Sequence, residues 1–364
     1  YLVIRVITKM IKTKLIRINK FRPEPEKIRY AADIIKRGGL VAFPTETVYG
    51  LGANAFDENA IRNVFKAKGR PADNPLIVHI AELKDVHRLA KKPPKIAKLL
   101  MERFWPGPLT IVLKKKKIVP DIATGGSNTV AIRMPDNRIA ISLIKSVGVP
   151  LVAPSANISG KPSPTRAKDV LEDLKGKIEL IIDGGKTSIG IESTVIDMTV
   201  MPPIILRPGV VTLEAIEKLI GKVKLLSFTV KEEKISISET DSKNFLKSPG
   251  LKYKHYAPNA EVIVVEGKAK DVYKKINLLA DEALKNNKKV GIISFRKDHK
   301  YKNCYTAFAG SNAKVVAKRL FTILREMDKK GIDIIISESL SGKGIGLAVS
   351  DRLKRSAGYN IIKV

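Results

Sequence analysis

The chain is poor in the residues that build disulfides, metal centres and membrane spans. Cys304 is the single cysteine, which excludes an internal disulfide and any cysteine-rich metal site. The histidines His79, His87, His255 and His299 show no metal-ligand spacing. No apolar run reaches the length of a membrane span, and the basic start carries no cleavage-site pattern. We therefore expect a cytoplasmic protein that does not associate with membranes and builds no metal site from its own side chains.

Acidic residues are scarce relative to basic ones. The sequence has 67 Lys and Arg residues against 36 Asp and Glu residues, which gives a formal net charge of +31. Such an excess favours anionic partners such as nucleotides or RNA. The lysines are nevertheless scattered, and the longest unbroken run is residues 114–117. Most of this charge is therefore interpreted as a solvated surface, and a weak affinity for tRNA is left open.

Length and composition indicate two folded domains. The chain has 364 residues, 44% of them hydrophobic, which is enough for a sizeable core in each of two domains. A change to polar, charged sequence after residue 221 indicates a linker. The expected segments are an N-terminal extension with the first strand (1–21, in which Met10 is a candidate initiator), a first domain (22–221), the linker (222–259) and a second domain (260–364).

Polar side chains gather in residues 43–80 at the ends of predicted strands and of a predicted helix. They lie at the ends of two predicted strands and of the helix between them, and they are Thr45, Glu46, Lys68, Arg70 and His79. Polar groups at the strand ends of an α/β sheet commonly form ligand sites. The alternative is that the two cations lie at a solvated helix end and that His79 is a core histidine whose hydrogen bonds are satisfied. For any one of these residues taken alone, this alternative is favoured.

An arginine lies inside a predicted apolar strand. Arg133 occupies the segment 130–134, where an unpaired guanidinium would be costly. We therefore expect Arg133 to face a carboxylate, either from the protein or from a substrate. Further along, residues 163–165 are expected to cap a helix over 166–174.

The second domain shows a βαβαβ pattern, which is half of a doubly wound fold. Its predicted strands are 262–265, 290–294 and 332–337, and its predicted helices are 270–284 and 313–329. Its first turn lacks the glycine-rich dinucleotide fingerprint. The sequence SGKGIG at 341–346 has the composition of a phosphate loop, but it follows the third strand and is interpreted as a tight turn.

The linker ends in SPGLKYKHYAP, residues 248–258. Tyr253, His255 and Tyr256 alternate there with lysines, a pattern that suits closure over an anionic ligand. The alternative is a turn at a domain boundary whose aromatic side chains pack on a neighbour.

Several motifs occur in one order along the chain: PTETVYGLG, KGRP, NPLIVHI, WPGPLT, VAIRMP, APSAN, GIESTV, LRPG and SPGLKYKHYAP. This set resembles the YrdC-like threonylcarbamoyl-AMP synthases, and more closely their long form. The resemblance runs from about residue 22 to the C-terminus. It implies an α/β protein with a YrdC-like twisted-sheet catalytic domain and basic pocket, followed by a smaller Rossmann-like domain. Asp351 stands where Asn is expected, a departure expected to leave the catalytic domain untouched.

The resemblance also implies a reaction. L-threonine, bicarbonate or CO2, and ATP would give threonylcarbamoyl-AMP and pyrophosphate, with Mg²⁺ carried mainly on the ATP phosphates. A separate transferase complex would then place the threonylcarbamoyl group on a tRNA adenosine beside the anticodon. No side chain stands out as a nucleophile, so proximity and electrostatics are expected to supply most of the rate.

The resemblance also implies functional residues, each assigned at a position of this sequence that matches a family motif. The residues expected to be catalytic are Lys68, Arg70, Ser155 and Asn157. Those expected to bind L-threonine are Thr45, His79, Arg133, Ala153 and Ser193. Those expected to bind ATP are Lys68, Arg70, Asn74, Thr129, Ser155, Asn157, Ser163, Arg207 and Tyr253. Residues 248–258 are expected to close over the nucleotide as a lid, with His255 or Tyr256 locking the closed state.

Two rival functions compete with this interpretation. A non-enzymatic RNA-binding module would account for the net charge, but not for the hydroxyls, His79 and the in-strand Arg133. A carbamoyltransferase-type enzyme would use the same pocket for carbamoyl phosphate.

Overall fold

The computed structural model describes most of the chain. The described residues are 11–226, 229–231, 234–236, 255–340 and 342–364. Tyr253 and the rest of the predicted lid before His255 lie outside this part, as do Met10 and the residues before it. Within the described part, no helix is both long and apolar enough to cross a membrane.

The first part of the chain folds around a mixed sheet, in which eleven strands fall within the described residues. They are β1 (Lys14–Arg17), β2 (Val41–Pro44), β3 (Tyr49–Asn54), β4 (Ile77–His79), β5 (Leu109–Lys114), β6 (Thr129–Arg133), β7 (Leu151–Val152), β8 (Leu180–Asp183), β9 (Thr194–Asp197), β10 (Ile204–Arg207) and β11 (Lys224–Leu225). Their spatial order is β1-β8-β2-β3-β7-β4-β6-β5-β9-β10-β11. The sheet therefore combines distant segments of sequence into one surface.

Helices cover both faces of this sheet. They are α1 (Pro25–Lys36), α2 (Glu58–Lys68), α3 (Val86–Leu89), α4 (Lys95–Phe104), α5 (Asp121–Thr124), α6 (Arg138–Val147), α7 (Ala167–Leu174) and α8 (Leu213–Ile220). In β2, Val41 and Phe43 pack into the core beneath α1 and α6, whereas Ala42 packs into the core on the other face. This alternation is expected because successive side chains of a strand point to opposite faces.

Local sequence sets the limits of α2. Asp57 accepts hydrogen bonds from the backbone N–H groups of Asn59 and Ala60, which caps the start of the helix. Gly69 ends it with φ at 60°, a left-handed conformation that glycine adopts without a Cβ clash. The chain then turns so that Lys68 and Arg70 are buried rather than solvated, and the surface alternative for these two cations is wrong.

The predicted cap of α7 is also wrong. The residue at the cap position is Arg166, and it makes no side-chain cap hydrogen bond. Ser163 instead donates to Glu192, and the Thr165 hydroxyl pairs with that of Thr322 at 3.1 Å. The two hydroxyls are thus used in contacts across the fold, which the local sequence does not reveal.

The segment predicted as a linker contains β12 (Thr229–Lys231) and β13 (Lys234–Ser236), which pair as an antiparallel hairpin. The second sheet follows, and its described strands are β14 (Glu261–Glu266), β15 (Val290–Ser294), β16 (Tyr305–Phe308), β17 (Ile334–Glu338) and β18 (Ile361–Lys363). They are all parallel, in the order β16-β15-β17-β14-β18. The helices in the described residues of this part are α9 (Ala269–Lys285), α10 (Ala313–Lys329) and α11 (Ile345–Ser356). The predicted α/β class is confirmed.

Helix α10 packs directly against the first part of the chain. Gly190 has φ at 93°, and a Cβ built there would lie 2.5 Å from the Cα of Lys318, so this close approach requires glycine. Val48 and Ile191 are buried in the core of the second sheet. The two parts therefore share apolar surface beside the ends of the first sheet's strands.

Gly344, within the SGKGIG sequence, also contacts the first part of the chain. The backbone N–H of Gly344, at the start of α11, donates to Oε1 of Glu214 over 3.2 Å. A carboxylate from the protein itself thus occupies this helix end. This contact supports interpreting the segment as a turn rather than a phosphate loop.

Candidate active site

Strand register brings the predicted site residues to one edge of the large sheet. Strands β4 and β6 are parallel, and their register places His79 beside Arg133. Strand β9 begins directly after Ser193 and runs parallel to β5. Strand β10 is antiparallel to β9 and ends at Arg207, opposite Val195. Four strands, β4, β6, β9 and β10, thus place a histidine, two arginines and a serine along the same edge.

A small cavity of about 50 Å³ opens at this edge. The predicted residues that line it are Thr45, Arg70, His79, Arg133, Ala153, Ser155, Ser193 and Arg207. Glu192, His255 and Tyr256 also line it. The predicted threonine-binding set is therefore gathered in one place, together with the two described aromatic residues of the predicted lid.

Lys68 and Asn157 lie behind the cavity wall rather than among its described lining residues. The Lys68 ammonium donates to the backbone oxygens of Ser155 and Asn157, at 2.5 and 2.6 Å. Burial, followed by the charge of Arg70, lowers the pKa of Lys68 well below its usual value. The side chain of Asn157 donates to the backbone oxygens of Ile158 and Lys161. Lys68 thus fixes the loop that carries Ser155.

Arg70 reaches the cavity with help from Asn74. The Nη2 atom of Arg70 donates to Oδ1 of Asn74 over 2.6 Å, and to the backbone oxygen of Pro75 over 3.0 Å. Asn74 itself is not among the described lining residues. Its side chain acts on the cavity by orienting the guanidinium.

Thr129 and Ser163 are not among the described residues that line the cavity. Thr129 begins β6, four residues before Arg133, which corresponds to roughly 13 Å along a strand. Its hydroxyl pairs with that of Ser127 at 2.8 Å. Ser163 is buried and donates to Oε1 of Glu192. Tyr253 lies outside the described residues, so nucleotide contacts by these three residues stay predictions.

Arg133 faces a carboxylate of the protein. Its Nη2 atom lies 2.6 Å from Oε1 of Glu46, and both side chains are buried. Nη1 donates to the hydroxyl of Thr47 over 2.9 Å, and Nε donates to the backbone oxygen of Gly107 over 3.3 Å. A guanidinium has five N–H donors, so this arrangement leaves donors for a ligand. Arg133 thus has the carboxylate partner that we expect for an arginine in an apolar strand, and that partner is Glu46.

His79 is a buried, neutral histidine in the cavity wall. Burial, reinforced by the charge of Arg133, lowers its pKa to about 3. Its Nδ1 atom lies 3.2 Å from the backbone oxygen of Ile77. The core-histidine and cavity interpretations both describe this residue, because it is buried and also lines the site.

A buried group of charges surrounds Arg207. Its Nε and Nη2 atoms donate to the backbone and side-chain oxygens of Ser193, at 3.1 and 3.2 Å. Ser193 also pairs with Thr110 at 2.7 Å. Glu192 accepts hydrogen bonds from Ser163 and from Arg352, which comes from α11.

Sequence reasoning placed the Glu46 carboxylate among the polar groups of residues 43–80 without naming its partner, and it assigned no role to Glu192 or Arg352. The two glutamates stand inside quoted motifs, and a carboxylate among apolar motif residues is itself a signal of a buried partner. Arg352 gives no such signal, because it lies 160 residues from Glu192 along the chain.

Asp351 joins this charged group through its neighbours in α11. It pairs with Arg352 at 2.5 Å and with Arg355 at 2.9 Å. Its charge also acts on the pKa of Arg207, although burial is the larger influence and the net effect lowers that pKa. Both ion-pair partners of Asp351 lie in α11, so the expectation that this position leaves the catalytic domain untouched stays a prediction.

Comparison with known proteins identifies the family. A family model described as "Telomere recombination" matches residues 33–209, and one described as "Threonylcarbamoyl-AMP synthase, C-terminal domain" matches residues 211–358. The threonylcarbamoyl-AMP synthase of Pyrococcus abyssi is 52% identical over 94% of this chain and 97% of its own length. The chain belongs to the threonylcarbamoyl-AMP synthase family. It is therefore an enzyme, a transferase of tRNA processing in threonylcarbamoyladenosine biosynthesis.

Other relatives agree with this assignment. The Bacillus subtilis threonylcarbamoyl-AMP synthase is 44% identical over 93% of this chain and 94% of its own length. The crystal structure of P. abyssi Sua5 complexed with L-threonine is 51% identical in sequence and has a TM-score of 0.88. That comparison covers 96% of this chain and 99% of the other. The predicted architecture of a YrdC-like domain followed by a second domain is confirmed.

Proposed function

We propose that the chain forms L-threonylcarbamoyl-AMP from L-threonine, bicarbonate or CO2, and ATP, and releases pyrophosphate. The observation that carries this proposal is one cavity lined by Arg70, Arg133 and Arg207 together with the hydroxyls of Thr45 and Ser193. Guanidinium groups recognise carboxylates and phosphates, and hydroxyls give direction to a small polar ligand.

The threonine half of the site lies around Arg133. Its remaining N–H donors would bind the threonine carboxylate, while Glu46 and Thr47 hold the guanidinium in place. The threonine hydroxyl would contact Thr45, His79 or Ser193, with Ala153 forming the adjacent wall. A neutral imidazole suits this position, because a second cation beside Arg133 would be repelled. The related P. abyssi protein crystallised with L-threonine supports this assignment.

The nucleotide half lies around Arg70 and Arg207. The reaction joins a carbamate oxygen of N-carboxythreonine to the α-phosphorus of ATP, and the bond to the pyrophosphate oxygen breaks. Charge on the phosphates changes as this happens, so Arg70 and Arg207 would matter most in the transition state. Ser155 would orient the phosphate or carbamate oxygens, and Lys68 would fix the loop on which Ser155 lies.

Mg²⁺ would accompany ATP rather than bind to the protein alone. Among the described residues, no group of three or more His, Cys, Asp or Glu side chains could hold a metal ion. Glu192, the carboxylate that lines the cavity, is already paired with Arg352 and Ser163. This donor set fits a metal carried on the phosphates, where it would offset their charge.

The product would pass to a separate transferase that modifies the tRNA adenosine beside the anticodon. The mixed anhydride is easily hydrolysed, so water must be kept from the cavity. His255 and Tyr256 line the cavity from the predicted lid segment, which supports a covering role for it. Tyr256 also stacks on Phe321 of α10, with 5.2 Å between the ring centroids. The same residue would therefore cover the cavity and pack against the second domain. A cytoplasmic location belongs to this proposal.

The proposal is tested by pyrophosphate release from ATP. Release should require L-threonine and bicarbonate together, and leaving out either should reduce it to background. Carbamoyl phosphate, supplied in place of bicarbonate and ATP, should give no carbamoylated product; carbamoylation would favour the carbamoyltransferase alternative. Binding of tRNA without any threonine-dependent pyrophosphate release would favour the RNA-binding alternative.

A further inference from the structure

A buried chain of charged groups runs from the cavity into helix α11. Glu192 lines the cavity, and its Oε2 atom accepts a 2.9 Å hydrogen bond from Nε of Arg352. Arg352 is fully buried. Its Nη1 atom donates to Asp351 over 2.5 Å, and Asp351 also accepts from Arg355 over 2.9 Å. The second domain thus delivers a fixed cation to a carboxylate of the cavity wall.

Glu192 presents a problem in a cavity that is proposed to hold a triphosphate. Burial raises its pKa, but the charges of Arg352 and then Arg207 outweigh that effect and hold the pKa below its ordinary value. The carboxylate is therefore ionised at neutral pH. A negative charge beside bound phosphates opposes their binding unless a cation balances it.

Hydrogen bonding assigns the two nearby arginines different partners. Both oxygens of Glu192 are engaged, one by Ser163 and the other by Arg352. Arg207 makes its hydrogen bonds to Ser193 instead. If Arg352 were removed, one oxygen of Glu192 would lose its donor, and Arg207 is the next cation acting on that carboxylate.

We infer that Arg352 is a positioning residue for the ATP site. By balancing Glu192, it leaves Arg207 available to the phosphates of ATP. This inference rests on the proposed function and extends it, because it assigns the second domain a part in nucleotide binding.

A purely structural role for Arg352 would predict a different pattern. Arg352 packs on Tyr256, with 5.5 Å from its guanidinium carbon to the ring centroid, so its loss also removes contact between the domains. Arg325 of α10 makes a comparable contact, donating to Asp173 and to the backbone oxygen of Pro162, each over 2.6 Å. Neither of those partners is among the described residues that line the cavity. Arg325→Met is therefore a matched control for lost domain contact.

The first test compares Arg352→Met with Arg325→Met in the full-length chain. Arg352→Met should raise the KM for ATP by about tenfold, within the usual range of coupling between sites, with a much smaller change in the KM for threonine. Arg325→Met should lower the unfolding temperature without changing the KM for ATP. Equal rises in both KM values for Arg352→Met would overturn the inference.

The second test adds Glu192→Gln to Arg352→Met. The double variant has no unbalanced carboxylate, so it should fold even if Arg352→Met alone does not. Its affinity for ATP should match that of Glu192→Gln alone, because Arg352 acts through the Glu192 charge. A double variant that binds ATP tenfold more weakly than Glu192→Gln alone would show that Arg352 acts in another way.

Calorimetry with ATP separates this inference from the proposed function. If the wild-type chain binds ATP but shows no threonine-dependent pyrophosphate release, the proposed function fails. The role of Arg352 is still measured by the Kd for ATP in the same variants. An unchanged Kd for ATP in a folded Arg352→Met variant would overturn the inference, whichever reaction the chain catalyses.

Discussion

The ammonium group of Lys68 donates a 2.6 Å hydrogen bond to the backbone oxygen of Asn157. A second bond, to the backbone oxygen of Ser155, holds the other end of the same short loop. The last residue of α2 therefore fixes the segment that follows β7. This geometry assigns Lys68 a role in placing the loop, beside the phosphate contact expected from the family resemblance.

Replacing Lys68 with methionine should lower both stability and turnover. The variant leaves two backbone oxygens without their donor, and each such loss typically costs about 1–3 kcal/mol. The loop should then place Ser155 poorly, so kcat at saturating ATP should fall. Thermal unfolding and pyrophosphate release measure the two effects. Lys66→Met, at an exposed position of the same helix, is the control. A Lys68→Met variant with wild-type stability would contradict the loop role.

Replacing Arg133 with alanine should weaken threonine binding. Losing one partner of a buried ion pair typically costs on the order of 3–5 kcal/mol, and here the remaining partner is Glu46. Part of that cost will appear as lower stability, so the informative variant is Arg133→Ala combined with Glu46→Gln. This double variant should regain stability but still bind threonine weakly in calorimetry. Wild-type threonine affinity in either variant would exclude Arg133 as the carboxylate contact.

The buried His79 should make the protein less stable in acid. Its pKa is about 3 in the folded state, against an ordinary value near 6.5, so the unfolded chain takes up a proton that the folded chain does not. The contribution is complete above the unfolded pKa and is lost as the pH falls from there towards about 3. Between neutral pH and pH ~4.5 the loss should be about 2–3 kcal/mol.

Denaturant unfolding of His79→Gln at neutral pH and at pH ~4.5 tests the direction of this change in stability. The variant should lose less stability on acidification than the wild type by roughly that amount. His87→Gln, at an exposed histidine, should follow the wild type. If His79→Gln loses as much stability as the wild type, His79 does not titrate in this range.

Replacing Tyr256 with alanine should uncouple ATP consumption from product formation. Tyr256 lines the cavity and stacks on Phe321, so its loss opens the wall to water. We expect AMP and pyrophosphate to form while less threonylcarbamoyl-AMP accumulates. Tyr273→Ala is the control, because Tyr273 packs against His299 with its ring tilted and is not among the described cavity residues. Undiminished product yield from Tyr256→Ala would contradict the covering role.

Long periodic segments could be predicted from sequence with little error. The helix at Ala313–Lys329 and the strand at Val290–Ser294 lie where the sequence predicts them, because apolar spacing and flanking polar residues define both. The edge strands Tyr305–Phe308 and Ile361–Lys363 were not predicted. Both are short and only partly buried, so they carry no strong apolar pattern.

The candidate site was predictable where a residue's chemistry conflicts with its surroundings. Arg133 in an apolar strand required a carboxylate, but sequence alone left open whether protein or substrate supplies it. The structure supplies Glu46. The pairing of Glu192 with Arg352 could not be predicted, because strand order and domain packing, rather than local sequence, bring them together.

The central claim is that one cavity joins threonine, bicarbonate and ATP. The most direct measurement is mass spectrometry of the nucleotide product formed by the wild-type chain with isotopically labelled bicarbonate. The account predicts an adenylate that carries both threonine and the labelled carbon, formed together with pyrophosphate. An AMP product without threonine or label, at threonine and bicarbonate concentrations that saturate pyrophosphate release, would contradict it.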